Sequence, residues 1–401
     1  VAVRIGRRQG ATVQLHVDVP TLQAPYVHVL AFDDPRFKRT LRRVYEEFDV
    51  LHGAINGASA YTLNLNVYVI NAWGELRAWP RAPWMNNPSQ TTFAHLTDLP
   101  VEVQFLSLNE VATEGVPEDA DILLNVGEPG TAWSGDFHWT PAAVKNVRRF
   151  VEQGGGLVGI DAPALNDDKF VLSDVFGLDY QGRVSKAAER ELYHGKKGVF
   201  EKLVKPPRAT LRLTQQAPAW LEGLSEVGHV QTNVGMKADG AKVVAKGSDK
   251  ESGNQAVATL NKYGEGRAAY ITGNEWTPAY GEVLKRLIYH VAGKRNALHQ
   301  LNAPTTGAYV YFYPESDILF VYNHKADSEQ VTVRASALSD VYGSPVYAQR
   351  IYKGRNTAVP TDPRTYEWQR QALRQGITLS VPTGQVCMYE LRPEGHNTFG
   401  E

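Results

Sequence analysis

The segment Asn125-Val-Gly-Glu-Pro-Gly-Thr-Ala-Trp-Ser-Gly-Asp136, followed by Trp139, gathers residue types that hold a polar, ring-shaped ligand. Glu128 and Asp136 accept hydrogen bonds from hydroxyls, and Thr131 and Ser134 both donate and accept. Trp133 and Trp139 offer flat apolar faces that stack on the apolar face of a sugar ring. Gly127, Gly130 and Gly135 let the backbone come close, and the segment runs toward a helix expected from Pro141. That is the side on which backbone N–H groups meet an anion. A plainer role also fits: large aromatic side chains often plug the end of a core. Both readings stand at this level.

Two further groups carry oxygen chemistry. Asp161 sits within Gly159-Ile160-Asp161-Ala162-Pro163, and Glu275 within Gly273-Asn274-Glu275-Trp276. Glycosyl transfer needs an acid beside the scissile oxygen. Glu128, Asp136, Asp161 and Glu275 all fall at expected strand ends, but spacing does not say which of them converge. A metal site is not expected, because the 11 histidines are scattered without helical or strand pairing. His138 beside Asp136 is the one combination near the main segment. The basic run from Lys186 and Arg190 to His194, Lys196 and Lys197 could approach a phosphate, or form a solvated face. Cys387 is the single cysteine, so no disulfide or cysteine metal site forms within the chain. A cytoplasmic location is the expectation. A net charge of -1 gives no pull toward nucleic acid or an anionic membrane. No apolar run is long enough for a membrane span.

These residues need elements to position them. Leu65–Ile70, Val101–Leu106, Asp121–Val126 and Leu157–Asp161 read as buried parallel strands. A helix over Pro141–Gln153 turns Val144, Val147, Phe150 and Val151 inward and stops at Gly154-Gly155-Gly156. Strands at Ala256–Leu260 and Arg267–Thr272 flank a hairpin turn at Lys262–Gly266, and a helix follows from Tyr280 to Val291. The pattern is α/β with a doubly wound parallel sheet. Ligands of such sheets bind beyond the carboxyl ends of the strands, where the main segment lies. Residues 300–401 change to short alternating runs, from Tyr309–Tyr313 to Gln385–Leu391, which read as an all-β sandwich or barrel. Near the start, Asp34-Pro35 opens a helix with apolar residues at Phe37, Leu41, Val44, Tyr45, Phe48, Leu51 and Ile55. Lys38, Arg42, Arg43, Glu46 and Glu47 line its other face. Such a stripe requires a partner surface.

The segment around Asp161 resembles the strand-to-turn elbow of glutamine-amidotransferase-like domains, which place a cysteine there and a histidine downstream. Here the elbow residue is Asp161 and the later segment holds Asn274 and Glu275, so the thiolate chemistry is missing. A second resemblance covers residues 65–180 most clearly. Val69-Ile-Asn-Ala-Trp-Gly-Glu-Leu-Arg77, Leu99-Pro-Val-Glu-Val-Gln-Phe-Leu106, the Thr131-Ala-Trp-Ser-Gly135 segment with Trp139, and Phe150 through Gly159 follow one another as in the galacto-N-biose/lacto-N-biose phosphorylases. The likeness fades over 181–260 and returns in generic form at Tyr263–Gly273.

The resemblance implies a (β/α)8 barrel, an amidotransferase-like α/β domain and a C-terminal β-sandwich, in that order. It divides this chain into 1–62 as the remnant of a barrel, 63–298 and 299–401. A barrel takes about 250 residues, so the family's catalytic acid is expected upstream of Val1, and no catalytic residue is carried over. The implied activity is inverting phosphorolysis of galactosyl-β-1,3-N-acetylhexosamine, or a related galactosyl-rhamnose linkage, to α-galactose 1-phosphate. Inorganic phosphate is the co-substrate, with no organic cofactor. Glu128, Thr131, Trp133, Ser134, Gly135, Asp136 and Asp161 are the expected substrate wall. The implied partners are the disaccharide, phosphate, and a barrel or second copy of the chain docked on helix 34–56, compatible with a homodimer. Two other readings compete: a non-catalytic carbohydrate-binding or oligomerisation module of the β-galactosidase trimerisation type, and a hydrolase using acids on the sheet's own rim.

Overall fold

A computed structural model describes residues 35–71, 92, 95–126, 139–166, 169–183, 208–221, 224, 229–231, 234–247, 256–273, 277–304, 307–324, 328–353 and 365–393. Two compact units emerge: Thr62–Ala297, and Leu298–Glu401 together with Val1–Tyr61.

The chain enters the described region in helix α1 (Pro35–Ile55). Pro35 stands at its first position, where the missing N–H costs nothing. Asn56 and Gly57 then turn left-handed, with φ of 50° and 78°, and end the helix.

In the α/β unit, β1 (Asn66–Asn71), β2 (Glu102–Ser107), α2 (Leu108–Thr113), β3 (Ile122–Val126), α3 (Pro141–Glu152) and β4 (Gly156–Ile160) follow in order. After β4 come a short hairpin of β5 (Leu165–Asn166) and β6 (Lys169–Phe170), then α4 (Ser173–Phe176) and β7 (Leu178–Arg183). The unit continues through β8 (Arg208–Leu213), β9 (His229–Gln231), β10 (Val234–Ala238), β11 (Lys242–Gly247), β12 (Ala256–Tyr263) and β13 (Gly266–Ile271) to α5 (Pro278–Val291) and α6 (Ala297–Gln300).

Nine strands form one sheet in the order β2-β1-β3-β4-β13-β12-β11-β8-β9. The first five run parallel, and the hairpin between β12 and β13 turns the rest antiparallel. The sheet is therefore mixed, where the sequence reading expects a parallel one. β3 and β4 lie in its middle and, apart from Asn125 in β3, are apolar along their buried length, as strands covered on both faces are. α3 buries Val144, Val147 and Val151 against Leu123, Leu157 and Tyr270. Thr140 caps its N-terminus by accepting from Ala143 N at 3.2 Å, and Pro141 fills the first position. The reading of Val101–Leu106 as a buried strand needs correction. β2 pairs only with β1, so it is an edge among the described strands, and Phe105 is 53% exposed.

The second unit holds β14 (Ala308–Tyr313), β15 (Ile318–Asn323), β16 (Gln330–Val333), α7 (Ser336–Tyr342), β17 (Val346–Lys353), β18 (Thr365–Trp368), α8 (Arg370–Gln375), β19 (Ile377–Ser380) and β20 (Gln385–Arg392). Five strands pair antiparallel in the order β14-β15-β20-β17-β18, and β16 pairs with β19. Their common core includes Phe312, Val321, Val331, Trp368, Leu379 and Tyr389. The unit is not purely β, because α7 and α8 enter that core through Leu338 and Leu373. The outer face of the sheet, at Tyr313, Ile318, Val386 and Met388, packs against Leu51, Ala54 and Ile55 of α1 and Ala58 and Ala60 beyond it. The last turn of α1 thus has its partner surface within this unit. The side chains of Phe37, Leu41, Val44, Tyr45 and Phe48 lie outside the described residues.

Candidate functional site at the carboxyl edge of the sheet

Parallel pairing fixes where the strands of the α/β unit end. Val126 of β3 lies beside Ile160 of β4, and Ile160 lies beside Ile271 of β13. On the other flank, Ile70 of β1 pairs with Asn125 of β3. The carboxyl ends of these strands are therefore level, and the residue after β4 sits between the connections that leave β3 and β13. That residue is Asp161.

Asp161 is 5% exposed and adopts φ of +63°, a left-handed conformation that a non-glycine residue rarely takes. Ala164, three residues on, repeats it at +49°. The chain bends sharply here because neighbours hold it. The Asp161 N–H donates to the Ile271 carbonyl at 3.0 Å, and the Tyr270 hydroxyl donates to the Asp161 carbonyl at 2.9 Å. Asn125, polar inside an otherwise apolar strand, accepts from the Ala164 N–H at 2.7 Å through Oδ1. Small residues make the bend possible. A Cβ on Gly159 would lie 2.6 Å from Pro163 Cγ and 2.7 Å from Phe176 Cζ. Burial holds the Tyr270 hydroxyl well above the usual tyrosine pKa, and the Asp161 charge pushes it the same way. Tyr270 is thus a neutral donor.

The connections flanking Asp161 are also tied. The Trp139 N–H donates to Asn166 Oδ1 at 2.8 Å, and Asn166 Nδ2 donates to the Trp139 carbonyl at 2.8 Å. On the β13 side, the Tyr280 hydroxyl donates to the Gly273 carbonyl at 2.7 Å. Thr277 caps α5 by accepting from Tyr280 N at 3.3 Å, and the ring of His95 lies 5.7 Å from that of Tyr280. A Cβ on Gly281 would strike His95 Nδ1.

Of the expected wall, Asp161 falls on described residues, at the middle of the edge. Glu128, Thr131, Trp133, Ser134, Gly135 and Asp136 lie outside them, as do His138, Asn274, Glu275 and the basic run over 186–197. For Trp139 the packing role prevails: it is 3% exposed and belongs to the core with Tyr68 and Val144, so its ring offers no stacking face. Asn125, Asn166, Tyr270 and Tyr280 support the elbow without any sequence motif that marks them for that role. A polar residue inside the apolar run Ile122–Val126 is the one signal that pointed to Asn125.

Chemically, the edge holds a buried carboxylate on a strained turn, where a nucleophile elbow would carry a serine or cysteine. A carboxylate there accepts hydrogen bonds from hydroxyls. Cys387, the lone thiol, is buried in the other unit. Among the described residues no three His, Cys, Asp or Glu side chains converge as a metal site, and no helix is long and apolar enough to cross a membrane.

A family model described as the lacto-N-biose phosphorylase central domain matches residues 66–296. Among curated proteins, a 1,3-β-galactosyl-N-acetylhexosamine phosphorylase of Bifidobacterium longum subsp. longum is 26% identical over 326 residues, covering 76% of this chain and 43% of the relative. A D-galactosyl-β-1→4-L-rhamnose phosphorylase of Lachnoclostridium phytofermentans is 23% identical over 320 residues, covering 77% of this chain and 40% of the relative. The chain thus spans less than half the length of these curated relatives. Among solved structures, a β-galactosidase from Rahnella sp. R3 aligns over 88% of this chain and 44% of its own, with 14% identity and a TM-score of 0.46. A β-galactosidase from Bacillus circulans aligns over 83% and 42%, with 17% identity and a TM-score of 0.42.

Proposed function

This chain belongs to the lacto-N-biose phosphorylase family, and from that premise we propose that it is part of an inverting phosphorylase of β-galactosides. The substrate class is galactosyl-β-1,3-N-acetylhexosamine or a related galactoside, and inorganic phosphate is the co-substrate. The names of the curated relatives support this class. A general acid protonates the glycosidic oxygen while a phosphate oxygen attacks the anomeric carbon from the opposite face. The bond to the leaving sugar breaks as the bond to phosphate forms, and the product is α-galactose 1-phosphate. No electron is gained or lost, so the reaction needs no organic cofactor.

In this reading the general acid lies outside these 401 residues, of which 76% align with 43% of the Bifidobacterium relative. The α/β unit is an amidotransferase-like scaffold whose elbow has exchanged a nucleophile for Asp161. Together with Glu128, Thr131, Trp133, Ser134, Gly135 and Asp136, Asp161 forms the wall that grips the sugar hydroxyls. A barrel or a second copy of the chain docks on α1, a homodimer is the assembly compatible with this, and the reaction is cytoplasmic. The observation that carries the reading is the level carboxyl edge of β3, β4 and β13, with a buried carboxylate on its strained turn.

The test is incubation of galactosyl-β-1,3-N-acetylglucosamine with these residues joined to the remaining length their relatives possess. The expected result is galactose 1-phosphate, released only when phosphate is present and in the α form. Free galactose released at the same rate without phosphate would overturn the proposal and indicate a hydrolase.

A further inference from the structure

The amino edge of the nine-stranded sheet, at the far end of the strands from Asp161, collects positive charge on one face. Lys262 of β12 and Arg267 of β13 stand directly opposite each other beside the hairpin turn. Like charges so placed destabilise a strand pair. Lys242 of β11 lies opposite Leu260, two residues before Lys262, so strand alternation brings it to the same face. The turn after α5 meets that face too: a Cβ on Gly293 would lie 3.2 Å from Arg267 Nη1. The combined charge acts on His290 in the last turn of α5. Its pKa is pushed down to about 4, first by burial and then by Arg295, Arg267 and Lys242. Among the described residues none of Lys242, Lys262, Arg267 and Arg295 forms an ion pair, Glu265 in the hairpin turn included. The carbonyl end of α5 favours a nearby cation, but it amounts to roughly half an elementary charge, against four positive side chains. Arg267 is half-buried, so solvent screens it less than the exposed Lys242, Lys262 and Arg295.

We propose that this face is a binding site for a phosphate group, free or carried as an ester on a small ligand, with Arg267 at its centre and Lys242, Lys262 and Arg295 around it. A guanidinium presents paired N–H groups that match two phosphate oxygens, and lysines serve the same anion as point charges. A phosphate dianion offsets two of the four cations at once and removes the repulsion between Lys262 and Arg267. His290, stacked on Trp220 with ring centroids 4.8 Å apart, stays neutral and borders the site. The site lies at the opposite edge of the sheet from the carboxylate wall, so it stands whether or not that wall meets a galactoside.

The experiment titrates inorganic phosphate into the 401-residue chain at constant ionic strength, with chloride as the balancing anion, and follows melting and the histidine resonances. Wild type is compared with Lys262→Gln and with the double variant Lys242→Gln/Lys262→Gln, in which only exposed side chains change. In chloride alone, Lys262→Gln should melt at or above wild type, because a repulsion has been removed. Phosphate should raise the wild-type melting temperature by mass action. Its dissociation constant should be roughly tenfold weaker in the double variant, the loss of two exposed charge pairs. The imidazole resonance that disappears in His290→Phe should move with phosphate in wild type and move far less in the double variant at the same concentrations. Galactose 1-phosphate, titrated in the same way, separates the two sources: tighter binding than inorganic phosphate assigns the site to a phosphate ester, weaker binding to the free ion. Equal melting in phosphate and chloride would reduce the effect to screening and overturn the proposal. Phosphate binding that leaves His290 unmoved, equal affinity in wild type and double variant, or a lower melting temperature for Lys262→Gln in chloride would each overturn it as well.

Discussion

Two residues show how burial sets chemistry in the α/β unit. Asp161 combines a buried carboxylate with φ of +63°. The left-handed conformation costs about 1–2 kcal/mol for a residue bearing a Cβ. Asp161→Gly and Asp161→Ala remove the same carboxylate but differ in that cost. The glycine variant should be the more stable by about 1 kcal/mol in urea unfolding, and equal midpoints would contradict strain at the elbow. His290 shows a different effect. It stacks on Trp220 with ring centroids 4.8 Å apart. Burial first, then the charges of Arg295, Arg267 and Lys242, push its pKa down to about 4 from the ordinary 6.5. The unfolded chain therefore binds a proton there that the folded chain refuses between about pH 6.5 and 4. Stability should fall as pH drops through that window and level off below it. Replacing the imidazole in His290→Phe keeps the stack and removes the proton. Its melting temperature should fall less steeply than that of wild type over the same range, and identical slopes would show that His290 is not the titrating group.

At the scale of elements, what was legible followed from periodicity and punctuation. The central strands, α3 with its Thr140–Pro141 start and triple-glycine stop, and the β12–β13 turn all announce themselves in the chain. The glycines of that turn are required by a close approach. A Cβ on Gly266 would collide with the Val151 carbonyl oxygen at the end of α3, and one on Gly264 would lie 2.6 Å from the Glu152 carbonyl. Gly266→Ala should cost about 1–3 kcal/mol through overpacking, measurable as a lower urea midpoint, and a neutral effect would mean that α3 can move away. What was not legible depended on neighbours. Whether Val101–Leu106 is central or at an edge is a matter of strand order, which composition does not encode. The short helices α7 and α8 carry too little sequence for a helical period to show. Trp139 reads equally as plug or platform until its partners are known. The hydrogen bonds of Asn125 with Ala164 and of Asn166 with Trp139 join residues far apart in the chain, and only folding makes them visible.

At the scale of the molecule, membership of the family places residues 66–296 as a central domain, and the chain covers less than half of the curated relatives. In the function proposed above, the part of the α/β unit is to present a wall to the sugar while the proton comes from elsewhere. The most direct measurement is kcat/KM for phosphate-dependent cleavage of galactosyl-β-1,3-N-acetylglucosamine by the assembled enzyme carrying Asp161→Asn. Asparagine matches aspartate in size and tolerates the left-handed backbone, so only the charge is removed. A hydrogen bond to a charged group contributes about 1.5–3 kcal/mol. The expected result is a fall of roughly ten- to a hundredfold, mainly through KM, with the fold intact. A variant as fast as wild type would contradict the placing of Asp161, and with it the carboxyl edge, at the substrate.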